Sequence, residues 1–354
     1  MAIEVPISDE TLGTGEPFVL PEGVTPTLDM VAAVAGVSRT TASRVINGST
    51  HVTTAASDAV NAAIDQLHYV PNRAARNLAS KRTQLIAVVV PEHTSDFFAD
   101  PYFGAFIQGA ARRLSSTDYT LTLLVASEAD PDKTRRFLMG GNVDGALILS
   151  HHSRDRDYVQ LSKSLPVVFA GKPLVGEEES QYVVDIDNVA AAREATAHLI
   201  SSGRTRLATI TGSLAMSAGR ERLEGWQQAL AEAGLEPGPV VEADFSLESG
   251  EAAVDELVAR GEPFDALFVA SAKMAFAAIG ALKRHGIPVP EQVAVTTIDN
   301  DFYAQNPGMR LTTIDQHTAL KGATIVEVLM QLIAGETVER FTAVPTEFIR
   351  GDSA

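Results

Sequence analysis

The sequence predicts an α/β protein, with a small helical N-terminal unit followed by a larger, two-lobed body of parallel sheets. Three observations predict it. From Thr27 to Pro71 the apolar residues recur at helical spacing. Beyond Thr83, short strand-like apolar runs alternate with amphipathic stretches, the pattern of parallel sheets covered by helices on both faces. That alternation lasts for about 270 residues, more than one doubly wound unit holds, so the body divides into two lobes.

Residues 1–26 hold Pro6, Pro17, Pro21 and Pro26 among glycines and acids and show no hydrophobic period, which predicts a disordered acidic tail. A first helix begins at the N-cap Thr27, carries Leu28, Val31, Ala32 and Ala35 at helical spacing and stops at Gly36. Ser38 caps a second helix that ends at Asn47-Gly48. Val60, Ala63, Ile64 and Leu67 mark a third, capped by Thr53 or Thr54 and halted before Pro71. These make one compact domain over 27–71. The segment NRAARNLAS, within 72–83, is helix-prone but only about two turns long, so it needs a partner to fold. In the body, strands are expected at Leu85 to Val90, Thr120 to Val125, Ala146 to Leu149, Val167 to Ala170, Leu207 to Thr211, Ala266 to Ala270 and Val293 to Ile298. Helices are expected at Tyr102 to Ser115, Val189 to Ser201, Arg220 to Ala233, Gly250 to Val258 and Met274 to His285.

Composition narrows the function classes. The chain has 354 residues, 45% of them hydrophobic, enough for several cores. It has no cysteine, hence no disulfide framework and no thiolate metal site. The longest strongly apolar run, Leu85 to Val90, falls far short of the roughly 20 residues that span a bilayer. Nothing in Met1 to Ile7 resembles an export signal, so a soluble, cytoplasmic and nucleoid-associated protein is expected, with no membrane partner. The net charge of −17 opposes nucleic-acid binding on its face. Its distribution does not: residues 1–26 carry −5 and residues 84–354 carry −15, whereas 27–83 carry +3, from six bases against three acids. A basic module on an acidic body is the expected form of a DNA reader joined to something else.

The module has the spacing of a helix-turn-helix, in which one helix braces and the next enters the major groove by its N-terminal end. LDMVAAVA, the turn Gly36-Val37 and SRTTASRVIN supply the parts, with Val37, Val45 and Ile46 turned inward. The exposed face of the second helix then offers Arg39, Thr40, Ser43, Arg44 and Asn47 to bases and phosphates. Arg39, at the tip, suits a bidentate contact with guanine, and the hydroxyls of Ser38 and Ser43 suit phosphate.

TLDMVAAVAGVSRTTASRVING followed by LHYVPNRAARNLASKRT resembles the lactose-repressor (LacI/GalR) family, through its AGVS turn, TxSRVxN helix and Y-x-PN-x-x-A-x-x-L hinge. In the body, VDGALIL, LPVVFAG, VDIDNVAAAREATAHLISSGRTRLATITG, GRERLEGWQQALAEAGL, VPEQVAVTTIDN and LTTIDQ resemble family blocks in order. The resemblance implies a periplasmic-binding-protein-like body, with one lobe at about 84–168 plus 315–338 and the other at about 169–314 plus 339–350. It implies DNA contacts from Leu28, Ser38, Arg39, Thr40, Thr41, Ser43, Arg44, Asn47 and His51, and from Asn72, Arg73, Ala75 and Leu78 of a hinge helix. Leu78 matches the leucine that pries open the central minor-groove step, as apolar wedges do. It also implies effector contacts from Arg222, Asp299 and the aromatic Phe245. A charged fork, a carboxylate and an aromatic face suit a polyol, although Arg222 and Asp299 also suit a structural ion pair. Phe169 is placed either at the crossover lining the cleft or in the core.

The chain departs from the family pattern at Ser271-Ala272, where many sugar-responsive relatives carry Asn-Asp. Ser271 stands in for the asparagine with Lys273 nearby, so a sugar leads as the effector, with a modified or acidic ligand, or no ligand at all, left open. The histidines lack metal-ligand spacing, and P-loop, GxSxG and GxGxxG signatures are missing, so neither a cofactor nor an enzymatic role is expected. The whole reads as a ligand-responsive repressor of carbohydrate-related genes. It is expected to bind near-palindromic operator DNA as a homodimer, since the chain ends at FIRGDSA without the leucine heptad of the family's tetramers. The effector would act by folding or melting the hinge helix.

Overall fold

The computed structural model describes residues 24–49, 51–70, 82–91, 94–125, 132–150, 156–174 and 181–354. Nearly all of the expected acidic tail, and the hinge with Asn72, Arg73, Ala75 and Leu78, lie outside them. The chain divides into two compact units after Arg82.

Among its described residues the head has three helices, α1 (Leu28–Val34), α2 (Arg39–Ile46) and α3 (Thr54–Leu67). Each starts on a hydroxyl cap: Thr27, Ser38 and Thr53 accept the backbone N–H of Met30, Thr41 and Ala56. Gly36, at φ +63, makes the turn between α1 and α2 in the left-handed region that glycine enters freely. Met30, Val31, Ala32, Ala42, Val60, Ala63 and Leu67 form the core, with Val37, Val45 and Ile46 packed against it. The large side chains among them stabilise the unit by about 1.5 to 3 kcal/mol each through burial.

The body holds two six-stranded sheets. In the first, β1 (Leu85–Val90), β2 (Thr120–Val125), β3 (Gly145–Leu149), β4 (Val167–Ala170), β5 (Tyr182–Asp185) and β11 (Phe341–Ala343) lie in the order β11-β5-β4-β3-β1-β2, all parallel. In the second, β6 (Leu207–Thr211), β7 (Val240–Glu242), β8 (Ala266–Val269), β9 (Ala294–Ile298), β10 (Thr312–Asp315) and β12 (Glu347–Ile349) run β12-β10-β9-β8-β6-β7. Only β12 is antiparallel to its neighbour there. The central strands are fully buried and read as continuous apolar runs, as strands covered on both faces must.

The covering helices of the first lobe are α4 (Thr94–Ala99), α5 (Pro101–Leu114), α6 (Asp132–Met139), α7 (Arg156–Leu161) and α12 (Thr318–Ala334). Those of the second are α8 (Asn188–Ser201), α9 (Ser217–Ala233), α10 (Leu247–Arg260) and α11 (Ala272–Arg284). Along β1 the side chains divide by parity: Ile86, Val88 and Val90 join the core under α5 and α12, and Ala87 and Val89 that under α6 and α7. Paired helices approach closely where glycine leaves room. A Cβ on Gly322 of α12 would stand 2.1 Å from the Phe106 carbonyl oxygen of α5, and one on Gly225 of α9 2.2 Å from that of Val189 on α8.

The lobe boundaries differ from those expected. The first lobe runs on past residue 169 through β4 and β5, and the chain crosses over at 186–187. It returns after β10, which belongs to the second lobe up to Asp315, and β11 brings residues 341–343 back to the first sheet. The short strands β5, β10 and β11, three or four residues each, have no periodicity to betray them, and they decide where the crossovers fall. Helix α12, missed in the sequence, is rich in apolar residues because β3, β4, β5 and α5 pack against it, with Glu327 and Gln331 left on its exposed face. No helix among the described residues is long and apolar enough to cross a membrane.

Candidate functional site

The head presents one polar face, along α2. Arg39, Thr40, Arg44 and Asn47 are exposed, Thr41 and Ser43 half-buried. Ser38 is exposed, but its hydroxyl caps the helix by accepting the Thr41 N–H at 3.1 Å and lies 2.9 Å from the Thr41 hydroxyl. The Ser43 hydroxyl accepts from the Asn47 amide at 3.3 Å. Arg39 donates to Asp29 of α1 at 3.1 Å, both groups being more than half exposed. Leu28 is half-buried against the head core and His51 is exposed. A polar helix N-terminus with an exposed arginine at its tip is what a major-groove reader requires.

In the body a cavity of about 440 Å³ opens between the lobes, within the range of small-molecule sites. Four of the five expected effector residues meet there: Arg222, Phe245, Ser271 and Asp299. Phe169 does not. On β4 it faces the core under α6 and α7 with no exposed surface, because strand alternation sends its neighbour Ala170 to the cleft instead.

Each of the four is held by its own element. Arg222, near the start of α9 and 6% exposed, donates from Nε to Asn188 Oδ1 at 2.9 Å and from Nη1 to the Ala270 carbonyl at 2.6 Å. Phe245 has φ +70 and lays its ring over Gly212, where any Cβ would stand 1.8 Å from the ring. A flat aromatic face thus lies at the end of β6. Ser271 is the N-cap of α11, its hydroxyl accepting the Met274 N–H at 3.4 Å. Asp299, at φ +89, follows β9 and accepts a hydrogen bond from the Gln316 amide.

Apart from Lys273, the remaining lining was not foreseen. Lys321 of α12 and Asp185 of β5, each 4% exposed, pair at 2.5 Å. Burial alone would lower the Lys321 ammonium, but Asp185 overrides it and holds the pKa above the ordinary value. The phenol of Tyr102, pushed up chiefly by burial, has its ring 5.6 Å from that ammonium. Asp185 also accepts from Asn188 at 3.0 Å, so the first lobe's ion pair and the second lobe's Arg222 meet on one asparagine. Asp100, the N-cap of α5, faces Lys273 of α11 across the lobes at 3.5 Å. Burial raises the Asp100 carboxyl although Lys273 acts against it. Asp301 is pushed up to about 7 by burial and then by the charge of Asp299. One signal was available for Lys321: it is the single charge inside the stretch TALKGATIV.

A three-helix head with a polar recognition face, joined to a two-lobed body with a polar and aromatic cleft, defines a DNA-binding regulator governed by a ligand. Residues 27–72 match the family described as bacterial regulatory proteins, lacI family, and residues 196–354 a periplasmic binding protein-like domain. The HTH-type transcriptional regulator CelR of Thermobifida fusca is 42% identical over 318 residues, 89% of this chain and 94% of that protein. The HTH-type transcriptional repressor PurR of Aliivibrio salmonicida is 31% identical over 330 residues, again 89% and 94%. Among solved structures, a transcriptional regulator CelR-cellobiose complex aligns with a TM-score of 0.74 at 40% identity, covering 93% of this chain and 100% of that one. The lac repressor dimer bound to operator and the anti-inducer ONPF aligns at 0.83 with 27% identity, covering 93% and 99%. The chain belongs to the LacI family of bacterial regulatory proteins.

Proposed function

We propose that this regulator is a repressor of carbohydrate-related genes whose effector is a sugar bound in the cleft. The carrying observation is the cleft itself: Phe245 flattened on Gly212 offers a face for a pyranose ring, beside Arg222, Ser271 and Asp299 as hydroxyl partners. The likeness to a CelR-cellobiose complex supports a disaccharide of glucose as the first ligand to test. The sugar closes the lobes on one another, and the changed angle folds or melts the hinge helix, a two-state element that couples ligand to DNA.

On the DNA side, Arg39 reads a base, Thr40, Arg44 and Asn47 contact bases or phosphates, and Leu28, Ser38, Thr41, Ser43 and His51 position the head. Asn72, Arg73 and Ala75 grip the backbone through the hinge, and Leu78 wedges the central step. A dimer supplies the two recognition helices that a near-palindromic operator needs. An apolar strip on the second lobe supports self-association. Phe276 is 40% and Phe302 64% exposed, and their rings lie 5.4 and 4.0 Å from that of Tyr303 between them. The protein acts by binding, without turnover of its ligand.

The test is calorimetric titration of the full chain with cellobiose and other neutral disaccharides, run beside operator binding by fluorescence anisotropy. Binding of a neutral disaccharide that shifts operator affinity by about tenfold or more, a coupling of roughly 1.4 kcal/mol, is the expected result. If no sugar changes operator affinity, the effector reading is wrong.

A further inference from the structure

Among the described residues four cations line the cleft, and three of them face a carboxylate. Arg222 donates to two neutral oxygens, Asn188 Oδ1 and the Ala270 carbonyl, and keeps a further N–H face for a hydroxyl. Lys321 is held by Asp185 at 2.5 Å. Lys172 meets Glu221 at 2.7 Å near the rim. Lys273, 9% exposed in its side chain, faces Asp100. The carboxylates outnumber the cations: Asp100, Asp185, Asp244, Asp299 and Asp301 all reach the same cavity.

An anion taken from water into a cleft needs a desolvated cation with charge to spare. Hydroxyl groups need acceptors, which Asp244, Asp299 and Asp301 supply. We propose that Asp100 sets the charge class of the effector: by neutralising Lys273 it makes the cleft select uncharged polyols and reject sugar acids and sugar phosphates. This rests on the reading of the cleft as a sugar site.

Geometry singles out Asp100 among the five acids. Asp185 is locked between Lys321 and Asn188 at the cleft floor. Asp299 receives Gln316, and Asp301 accepts the N–H groups of Tyr303 and Ala304. Asp100 alone of the five faces the Lys273 ammonium, and it does so from the opposite lobe. Lys273 occupies the stretch where the chain departs from its relatives' Asn-Asp. A lysine there suggests an anion site until its partner is seen.

The substitution Asp100→Asn tests this without undoing the helix start, because asparagine caps a helix as well as aspartate and can still accept the Tyr102 N–H. The variant keeps the shape of the site and leaves Lys273 buried with an uncompensated charge. Full-length wild type, Asp100→Asn and the double variant Asp100→Asn/Lys273→Met are titrated with cellobiose, cellobionate and glucose 6-phosphate by calorimetry and thermal shift, and circular dichroism confirms folding. The ratio of anion to cellobiose affinity is expected to rise at least about tenfold in Asp100→Asn and to fall back in the double variant. An unchanged ratio in Asp100→Asn overturns the proposal, as does wild type that takes either anion as tightly as cellobiose. Wild type that binds no neutral sugar, while Asp100→Asn gains the anions through Lys273, refutes the sugar reading and leaves the role of Asp100 standing.

Discussion

The head and the cleft use polar side chains in opposite ways. On α2 of the head, Arg39, Thr40, Arg44 and Asn47 stand in water, and their few mutual bonds are exposed. In the cleft the polar groups are buried and hold one another: Lys321 with Asp185, Asp185 with Asn188, Asn188 with Arg222. A surface built to meet a polyanion can keep its donors hydrated until contact, since counterion release supplies much of the affinity. A cavity cannot, because an unpaired buried charge costs several kcal/mol. The cleft is therefore preorganised by its own ion pairs, and single changes there cost more than changes on the head.

Arg222→Met sharpens this contrast most. It leaves the Asn188 amide oxygen and the Ala270 carbonyl, both buried, without their donor. Leaving them unpaired costs about 1 to 3 kcal/mol of stability, and losing the guanidinium's own hydrogen bond to the sugar, worth about 1.5 to 3 kcal/mol, lowers ligand affinity by roughly 10- to 100-fold. Calorimetry with cellobiose should show that loss, and thermal melting should show the body destabilised while operator affinity without sugar is retained. Cellobiose affinity equal to wild type would remove Arg222 from the site.

On the head, Arg39→Ala should relax base preference at a single operator position by about 1 to 3 kcal/mol, with the fold intact because the side chain is exposed. Binding-site selection with randomised operators reads this directly, and an unaltered profile would mean Arg39 contacts only phosphate. The head is also where the sequence was most legible. Caps at Thr27, Ser38 and Thr53, the stop at Gly36 and the inward Val37, Val45 and Ile46 are contacts among near neighbours, so spacing alone reveals them. In the body the long strands and Arg222, Phe245, Ser271 and Asp299 were also within reach, the last four through resemblance. What escaped depends on residues far apart in the chain. Lys321 meets Asp185 across 136 positions, and Lys273 faces Asp100 from the opposite lobe. Phe169 failed for a different reason: a one-residue shift in a strand exchanges core for cleft, and a four-residue apolar run does not say which way it faces.

Asp301 offers a pH test of the buried, acid-rich cleft. Its carboxyl rises from the ordinary 3.8 to about 7 in the folded protein, through burial first and the Asp299 charge second. The native state thus binds this proton more tightly than the unfolded chain, so the ionised group opposes folding. The penalty is absent below about pH 4, grows as the pH rises and is complete above pH 7. Asp301→Asn keeps an acceptor for the N–H groups of Tyr303 and Ala304 but cannot ionise. It should melt higher than wild type at pH 8, by about 1 to 2 kcal/mol after allowance for solvent screening, and the gap should narrow at pH 5.5. A gap independent of pH would assign the gain to packing rather than to charge.

The smallest expected effect tests whether the exposed groups of the head are as free as they look. Asp29 of α1 holds Arg39 at 3.1 Å, with both side chains more than half exposed. Exposed pairs of this kind contribute about 0.2 to 1 kcal/mol and weaken with salt. For Arg39 to reach a base, the pair must open, so Asp29→Asn should tighten operator binding by about two- to fivefold at low salt. It also removes a negative charge near the DNA backbone, which strengthens binding to any sequence. The two causes separate in one measurement. Release of Arg39 raises the ratio of operator to random-DNA affinity, whereas loss of repulsion raises both affinities equally and leaves the ratio where it was. An unchanged ratio would show that Arg39 leaves Asp29 at no cost, and that the head's polar face is unconstrained before it meets DNA.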